Sequence, residues 1–369
     1  MISVSGSFFG EEEIREVADS IRNQWVGLGK KVDRFEELLQ ARLELPNFLM
    51  LNSGSNALYM AVYLLALPPQ SEIILPSFTW LACANAVVNA GHIPVFCDVE
   101  EGTYNVSADT IKPHITDKTG AIMVVHYAGK AVNMEPILEL GYPIIEDAAH
   151  ALDTYYKGRI CGSMGDVGTY SFDAIKNLAV GEAGGITVKS EAHWNRAKRL
   201  RYSGVEMSGF RQLQEQGTYK WWEYNIVEAF HKMMPSDLSG SIALVQLEKL
   251  NSLQQRRKEI WDMYMEAFQD VPWILTPAGP AEGETHSRFT YIIRVPKRTQ
   301  LAHYLYKKGI YTTLRFHPLH LNPIYKSKVS LPFSEEVNET GLNIPLHPRL
   351  TDQEVRYVID CILDTKAWQ

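Results

Sequence analysis

Lys176 follows the short apolar stretch Tyr170-Ser-Phe-Asp-Ala-Ile175 and is itself followed by Asn177-Leu-Ala-Val-Gly-Glu-Ala-Gly-Gly185. One lysine thus stands between a strand and a glycine-rich turn, where its amine can hold an aldehyde as an imine. Upstream, Tyr142-Pro-Ile-Ile145 runs into Glu146-Asp-Ala-Ala-His150, which puts a carboxylate where a strand leaves its sheet. An amine and an anion so placed suit a cationic heterocycle. Pyridoxal 5'-phosphate needs both, the amine for its aldehyde and the anion to keep its ring nitrogen protonated.

Each of these residues also has a plainer reading. A lysine is usually a solvated charge. Here Phe172, Ala174 and Ile175 give Lys176 an apolar approach, and desolvation lowers an amine's pKa toward the range where the neutral nucleophile exists. On spacing alone Asp147 reads equally as a helix cap. His150 shares its face if a helical turn follows, either as a partner of the cofactor's phenolic oxygen or as a satisfied core histidine. Asn52-Ser-Gly-Ser-Asn56 stands before a helical pattern, so Gly54, Ser55 and Asn56 offer amides, hydroxyls and a positive helix end to a phosphate. Ser171 can donate to the same phosphate or be a simple strand hydroxyl. Trp80, in Pro76-Ser-Phe-Thr-Trp80, is either core or the flat face on which a heterocycle stacks.

The elements that must position these groups alternate. Helical patterns over Gly10–Arg22 and about Lys31–Leu43 flank Trp25-Val-Gly-Leu-Gly29, a link that is either punctuation or a loop crossing a site. Short apolar strands then end at Leu51, Leu75, Phe96, Val125 and Ile145, with helical stretches between them. This is the pattern of a doubly wound α/β sheet, in which ligands gather at the carboxyl ends of strands. A hairpin around Lys157-Gly158 and strands at Thr169–Phe172 and Gly185–Val188 make the sheet mixed. From about His193 to Gly217 no period is evident, and Pro235-Ser-Asp-Leu238 opens a long helix. The division expected is a large domain over 1–240 and, over 241–369, a linking helix with a small α+β domain.

Composition excludes several classes. The 369 residues carry a net charge of -7 without a long basic run, which argues against a nucleic-acid surface. No apolar run reaches the ~20 residues of a membrane span, and no signal core follows Met1, so a cytoplasmic location is expected. Cys83, Cys97, Cys161 and Cys361 lack paired spacing and read as reduced, buried thiols, with no structural metal.

With those residues in place, nearly the whole chain resembles the DegT/StrS family of sugar aminotransferases, fold-type I pyridoxal-phosphate enzymes acting on nucleotide-linked keto sugars. The resemblance rests on Gly27-Leu-Gly-Lys-Lys-Val-Asp-Arg-Phe-Glu36, Asn52-Ser-Gly-Ser-Asn-Ala-Leu58, Pro76-Ser-Phe-Thr-Trp80, Glu146-Asp-Ala-Ala-His150, Ser171-Phe-Asp-Ala-Ile-Lys-Asn177 and Gly181-Glu-Ala-Gly-Gly185. It also covers Leu244–Leu250, Pro318-Leu-His-Leu321 and Asn343–Pro348. The resemblance implies that Lys176 binds the cofactor and then shuttles a proton. It implies that Asp147 pairs with the ring nitrogen, His150 lies near the phenolic oxygen, Trp80 stacks, and Gly54, Ser55 and Ser171 cup the phosphate. It further implies glutamate as amino donor, a nucleotide-diphosphate keto sugar as acceptor, and a homodimer in which each site borrows a loop.

The chain departs from the family where Phe230-His-Lys-Met-Met-Pro-Ser-Asp237 replaces the usual tyrosine-bearing loop; Lys232 is its candidate for the cross-subunit phosphate contact. Thr312-Thr-Leu-Arg-Phe-His-Pro318 is a second departure, in which Arg315 and His317 join Trp25 as candidate substrate contacts. Two other readings are weighed. A dehydratase of the same family carries histidine where this chain has Lys176. A non-catalytic regulatory relative would have lost Lys176, Asp147 or the phosphate loop, and all are present.

Overall fold

The structure, a computed structural model, describes residues 1–206, 220 and 222–365. Its frame is a sheet of β1 (Leu49–Leu51), β2 (Glu72–Pro76), β3 (Ile93–Cys97), β4 (Thr119–Val125), β5 (Ile144–Asp147), β8 (Val167–Ser171) and β9 (Gly184–Val188). The order is β1-β9-β8-β5-β4-β2-β3. The pairs from β3 through β8 are parallel, and β9 alone is reversed, antiparallel to both β8 and β1. The apolar strands follow from burial on both faces. Ile74, Ile122, Val124 and Ile144 join one core, while Ile73, Leu75, Ala121, Met123, Val125 and Ile145 join the other, as the two-residue period of a strand requires. β6 (Tyr155–Tyr156) and β7 (Arg159–Ile160) form the small hairpin, with Lys157 and Gly158 both at positive φ.

Helices cover both faces: α1 (Glu11–Arg22), α2 (Lys30–Arg42), α3 (Gly54–Leu64), α4 (Ala82–Asn89) and α5 (Glu191–Arg201). The fifth corrects the reading of an aperiodic stretch from His193. Ser190 caps it by accepting from His193 N, but only Ala197 and Leu200 on it are buried, too few to write a period. The rest of that stretch, from residue 207 to Gly217, lies outside the described residues.

The long helix α6 (Asp237–Phe268) packs against α1 and α2 near its start, and its second half enters another core. There Ile260, Trp261, Tyr264 and Phe268 meet the antiparallel pair β10 (Tyr291–Arg294) and β11 (Gly341–Ile344), with α7 (Arg298–Lys307) and α9 (Asp352–Leu363) beside them; α8 (Pro332–Thr340) leads into β11. The amino terminus also reaches this lobe, where Ile2 N donates to Gly309 O at 2.7 Å and Tyr311 N to Ile2 O at 2.8 Å. The four cysteines are free and buried. Among the described residues no helix is long and apolar enough to cross a membrane.

Candidate active site

Because six strands share one direction, their carboxyl ends gather on one edge, and loops from β1, β2, β5 and β8 converge there. They enclose a cavity of about 300 Å³, closed on the far side by Arg315 and Phe316. Lys176, Asp147 and His150 all line it.

Lys176 is delivered by a turn after β8, with its N–H donating to Asp173 O at 3.0 Å. Asn177 anchors that turn, its side chain donating to Ser287 O at 2.6 Å and to Gln254 Oε1 of α6 at 2.7 Å. The amine lies over the Phe289 ring, 4.6 Å from the centroid. Burial brings its pKa down to about 8; Asp147 works against that shift and Arg315 adds to it. A useful fraction of the amine is therefore neutral near physiological pH.

His150 stacks on the same ring, its own ring 4.0 Å from that of Phe289 at an interplanar angle of 18°. The chain after Asp147 makes a turn rather than a helix, closed by Ala151 N donating to Ala148 O at 2.9 Å, and this still puts both side chains in the cavity. Burial, then the Lys176 and Arg315 charges, hold the imidazole well below its usual pKa. Its Nδ1 is buried with no partner among the described residues, a polar atom waiting for a ligand.

Asp147 ends β5. Its Oδ1 accepts from Ala149 N at 2.9 Å, and its Oδ2 accepts from Cys83 Sγ at 3.2 Å. Thr79 Oγ1 lies 3.3 Å from the same sulfur, so a chain Thr79 to Cys83 to Asp147 fixes the carboxylate from the α4 side. Burial, then Asp147, raises the thiol pKa well above its ordinary value, so it stays a protonated donor.

The phosphate loop has its own logic. Ser53 caps α3 by accepting from Asn56 N at 3.1 Å, which leaves the amides of Gly54 and Ser55 at the helix start without intrahelical acceptors. A Cβ on Gly54 would lie 2.8 Å from that of Ser171, and one on Gly184 only 2.4 Å from Gly54 N. Only glycine at both positions lets the helix end, β8 and β9 close to this distance, forming an anion cradle. The donor set fits pyridoxal 5'-phosphate: a cradle for its phosphate, an anion, a buried amine, and an imidazole atom without a partner.

Of the residues singled out from sequence, Gly54, Ser55, Trp80, Asp147, His150, Ser171, Lys176 and Arg315 line the cavity. Four do not. Asn56 turns back to Asn52, its Nδ2 donating to Oδ1 at 2.8 Å. Trp25 is exposed, its Nε1 donating to Leu28 O at 3.0 Å. His317 is exposed beside Asn338, and Lys232 is exposed next to Met233, whose carbonyl accepts from Asn52 N at 3.1 Å. Sequence reasoning missed Phe289, Phe316 and Cys83. Phe289 and Phe316 carry no motif, whereas Cys83 had a signal, lying three residues after Trp80.

The mixed, mostly parallel sheet with helices on both faces is that of a fold-type I transferase. The chain belongs to the DegT/DnrJ/EryC1/StrS aminotransferase family, whose profile matches residues 8–363. It is 35% identical, over 98% of its length and 95% of the relative's, to the dTDP-4-dehydro-2,3,6-trideoxy-D-glucose 4-aminotransferase of Saccharopolyspora spinosa. Among solved structures it is similar to the aminotransferase TlmJ from Streptoalloteichus hindustanus, with TM-score 0.92, 32% identity and 98% of each chain covered. It is also similar to Spr1654 from Streptococcus pneumoniae in its PLP-form, with TM-score 0.88, 30% identity, and 97% and 96% of the two chains covered.

Proposed function

We propose that this protein transfers an amino group from an amino acid, glutamate first among donors, to a nucleotide-linked keto-deoxysugar, using pyridoxal 5'-phosphate held by Lys176. The observation that carries the reading is the meeting, in one cavity, of the Lys176 amine with its pKa near 8, the Asp147 carboxylate and the Gly54–Ser171 cradle. The S. spinosa relative makes a dTDP-linked 4-keto sugar the first acceptor to test.

When bound, the cofactor supplies an electron sink that acidifies the carbon carrying the nitrogen to be moved. Asp147, fixed by Ala149 and Cys83, holds negative charge toward the ring nitrogen. Gly54, Ser55 and Ser171 bind the phosphate through amides and hydroxyls. Lys176 Nζ, once free, takes a proton from the substrate carbon and returns it on the other side of the exchange, a task suited to a base with pKa close to the working pH. His150 Nδ1 would hold the phenolic oxygen, and Trp80, 51% exposed, would offer an open face to the ring. Phe289 and Phe316 keep water from the amine.

Lys232, Trp25 and His317 act in this reading on the site of a second copy or on the sugar nucleotide outside the cavity. Exposed Trp25, Val26, Tyr224, Ile226 and Val227 support a homodimer, since side chains of this kind are ordinarily covered. The enzyme then works in the cytoplasm on soluble sugar nucleotides.

The test is optical. Protein loaded with pyridoxal 5'-phosphate should absorb at roughly 410–430 nm, lose that band on adding glutamate, and regain it with a keto sugar from a dTDP-, UDP- and GDP-linked panel. A loaded protein that no amino acid bleaches contradicts the reading.

A further inference from the structure

Two loops from distant parts of the chain meet at the mouth of the cavity. One follows β2 and runs from Ser77 to Trp80; the other precedes α8 and runs through Phe316 to His320. The rings of Trp80 and Phe316 lie 5.5 Å apart, and Phe316 is also 5.8 Å from the His150 ring at an interplanar angle of 21°. Trp80 is exposed and Phe316 half-buried, so close packing does not fix either ring. Their places depend on the roots of the two loops.

Ser77 joins those roots. Its carbonyl accepts from Leu319 N at 2.9 Å, and its Oγ accepts from His320 N at 3.1 Å while lying 2.6 Å from His320 Nδ1. His320 Nε2 in turn lies 3.3 Å from Glu335 Oε1 of α8, which also accepts from Leu331 N at 2.9 Å. A proton on Nδ1 would strand the hydroxyl hydrogen of Ser77, which is fully buried, and in the neutral ring it would set a bare Nε2 against a carboxylate. The network therefore assigns the hydroxyl as donor to Nδ1 and Nε2–H as donor to Glu335. Serine, histidine and a carboxylate also compose hydrolytic triads, but a hydroxyl without exposure meets no substrate. The trio is a strut between the two loops.

Trp80 stands three residues after Ser77, and Phe316 four before His320. On its other side Phe316 follows Arg315, whose N donates to Asn343 Oδ1 at 2.7 Å, so the ring rides a short span pinned at both ends. Ser77, His320 and Glu335 do not line the cavity themselves. We infer that the Ser77–His320–Glu335 chain is a positioning device, which sets the gap between Trp80 and Phe316 and thereby the seating of the cofactor ring against Trp80. A misplacement of about 1 Å in such a gap is enough to misalign reacting groups. This inference rests on the aminotransferase reading above for the identity of the cofactor.

The experiment compares wild-type protein with Ser77→Ala, His320→Gln and His320→Asn, each alone and on a Trp80→Ala background. Asparagine keeps an acceptor where Nδ1 stands, whereas glutamine does not. Amide exchange is followed in cofactor-free protein; visible circular dichroism and the dissociation constant for pyridoxal 5'-phosphate are then measured on loading. Ser77→Ala and His320→Gln should speed exchange in the peptide over residues 313–321, roughly halve the visible dichroism and weaken cofactor binding about tenfold. His320→Asn should stay within about threefold of wild type. On the Trp80→Ala background the same substitutions should change dichroism and binding by less than about twofold, because the ring they act on is gone. Losses that multiply equally on both backgrounds overturn the inference, as do faster exchange throughout the chain or unchanged dichroism and binding in Ser77→Ala. If His320→Gln does not fold, Ser77→Ala completes the cycle. If glutamate fails to bleach loaded wild-type protein, the aminotransferase reading fails by itself, and dichroism and cofactor binding still decide the role of the strut.

Discussion

Lys176 Nζ lies 4.6 Å from the centroid of the Phe289 ring, inside a cavity wall that buries the amine. Burial of the amine withholds water from the ammonium form, so the proton leaves at a pKa of about 8 rather than at the ordinary lysine value. Only the neutral amine captures an aldehyde. The rate at which cofactor-free protein takes up pyridoxal 5'-phosphate covalently should therefore rise about tenfold per pH unit below that point and level off above it. Stopped-flow absorbance from pH 6 to 10 measures it, and a rate still rising steeply at pH 10 would mean that the amine is not desolvated.

The Cys83 hydrogen bond to Asp147 predicts a graded effect. Cys83→Ala removes one donor from a buried carboxylate, a change of about 1 kcal/mol, so the donor half-reaction should slow by up to about tenfold. Cys83→Ser restores the donor and should recover most of the rate. Asp147→Asn should be much slower, though still coloured, because an amide cannot hold the ring nitrogen's charge. Equal single-turnover rates for wild type and Asp147→Asn would remove the carboxylate from the mechanism.

Gly184→Ala should damage the phosphate cradle without touching the lysine. Its Cβ would land 2.4 Å from Gly54 N, so the start of α3 must move. We expect a loss of about 1–3 kcal/mol in stability by denaturant unfolding and a clearly weaker titration with pyridoxal 5'-phosphate. A variant that binds cofactor as wild type does would show that the loop does not hold the phosphate.

What the sequence made legible was set by local chemistry. Asp147, Ser171 and Gly54 stand at strand and helix ends, where an apolar run stops and a polar residue begins, and Lys176 sits between a strand and glycines. All four line the cavity. Phe289 could not be found that way. It meets Lys176 and His150 only because Asn177 and His150 are both tied to Ser287, a tertiary arrangement that leaves no periodic trace. α5 was missed for a related reason: it buries only Ala197 and Leu200, and Arg and Lys stand where a period would be read. The roles of Lys232, Trp25 and His317 rest on their places in the sequence, since a single chain leaves all three outside its own cavity.

Lys232 gives a prediction about assembly. If it serves the neighbouring site, Lys176→Ala and Lys232→Ala chains, each inactive alone, should regain activity when mixed, because one site of a heterodimer carries neither lesion. The recovered rate should approach the statistical share of heterodimers. No recovery, with exchange shown complete by mass spectrometry, would count against a role across the interface.

The central claim is that Lys176 carries the cofactor, and borohydride reduction followed by peptide mass mapping tests it most directly. Protein loaded with pyridoxal 5'-phosphate and reduced should gain one adduct, on the peptide containing Lys176, and Lys176→Ala should gain none and lose turnover by several orders of magnitude while keeping its fold by circular dichroism. An adduct confined to another lysine, or a Lys176→Ala protein that still aminates a keto sugar from glutamate at near wild-type rate, would contradict the account.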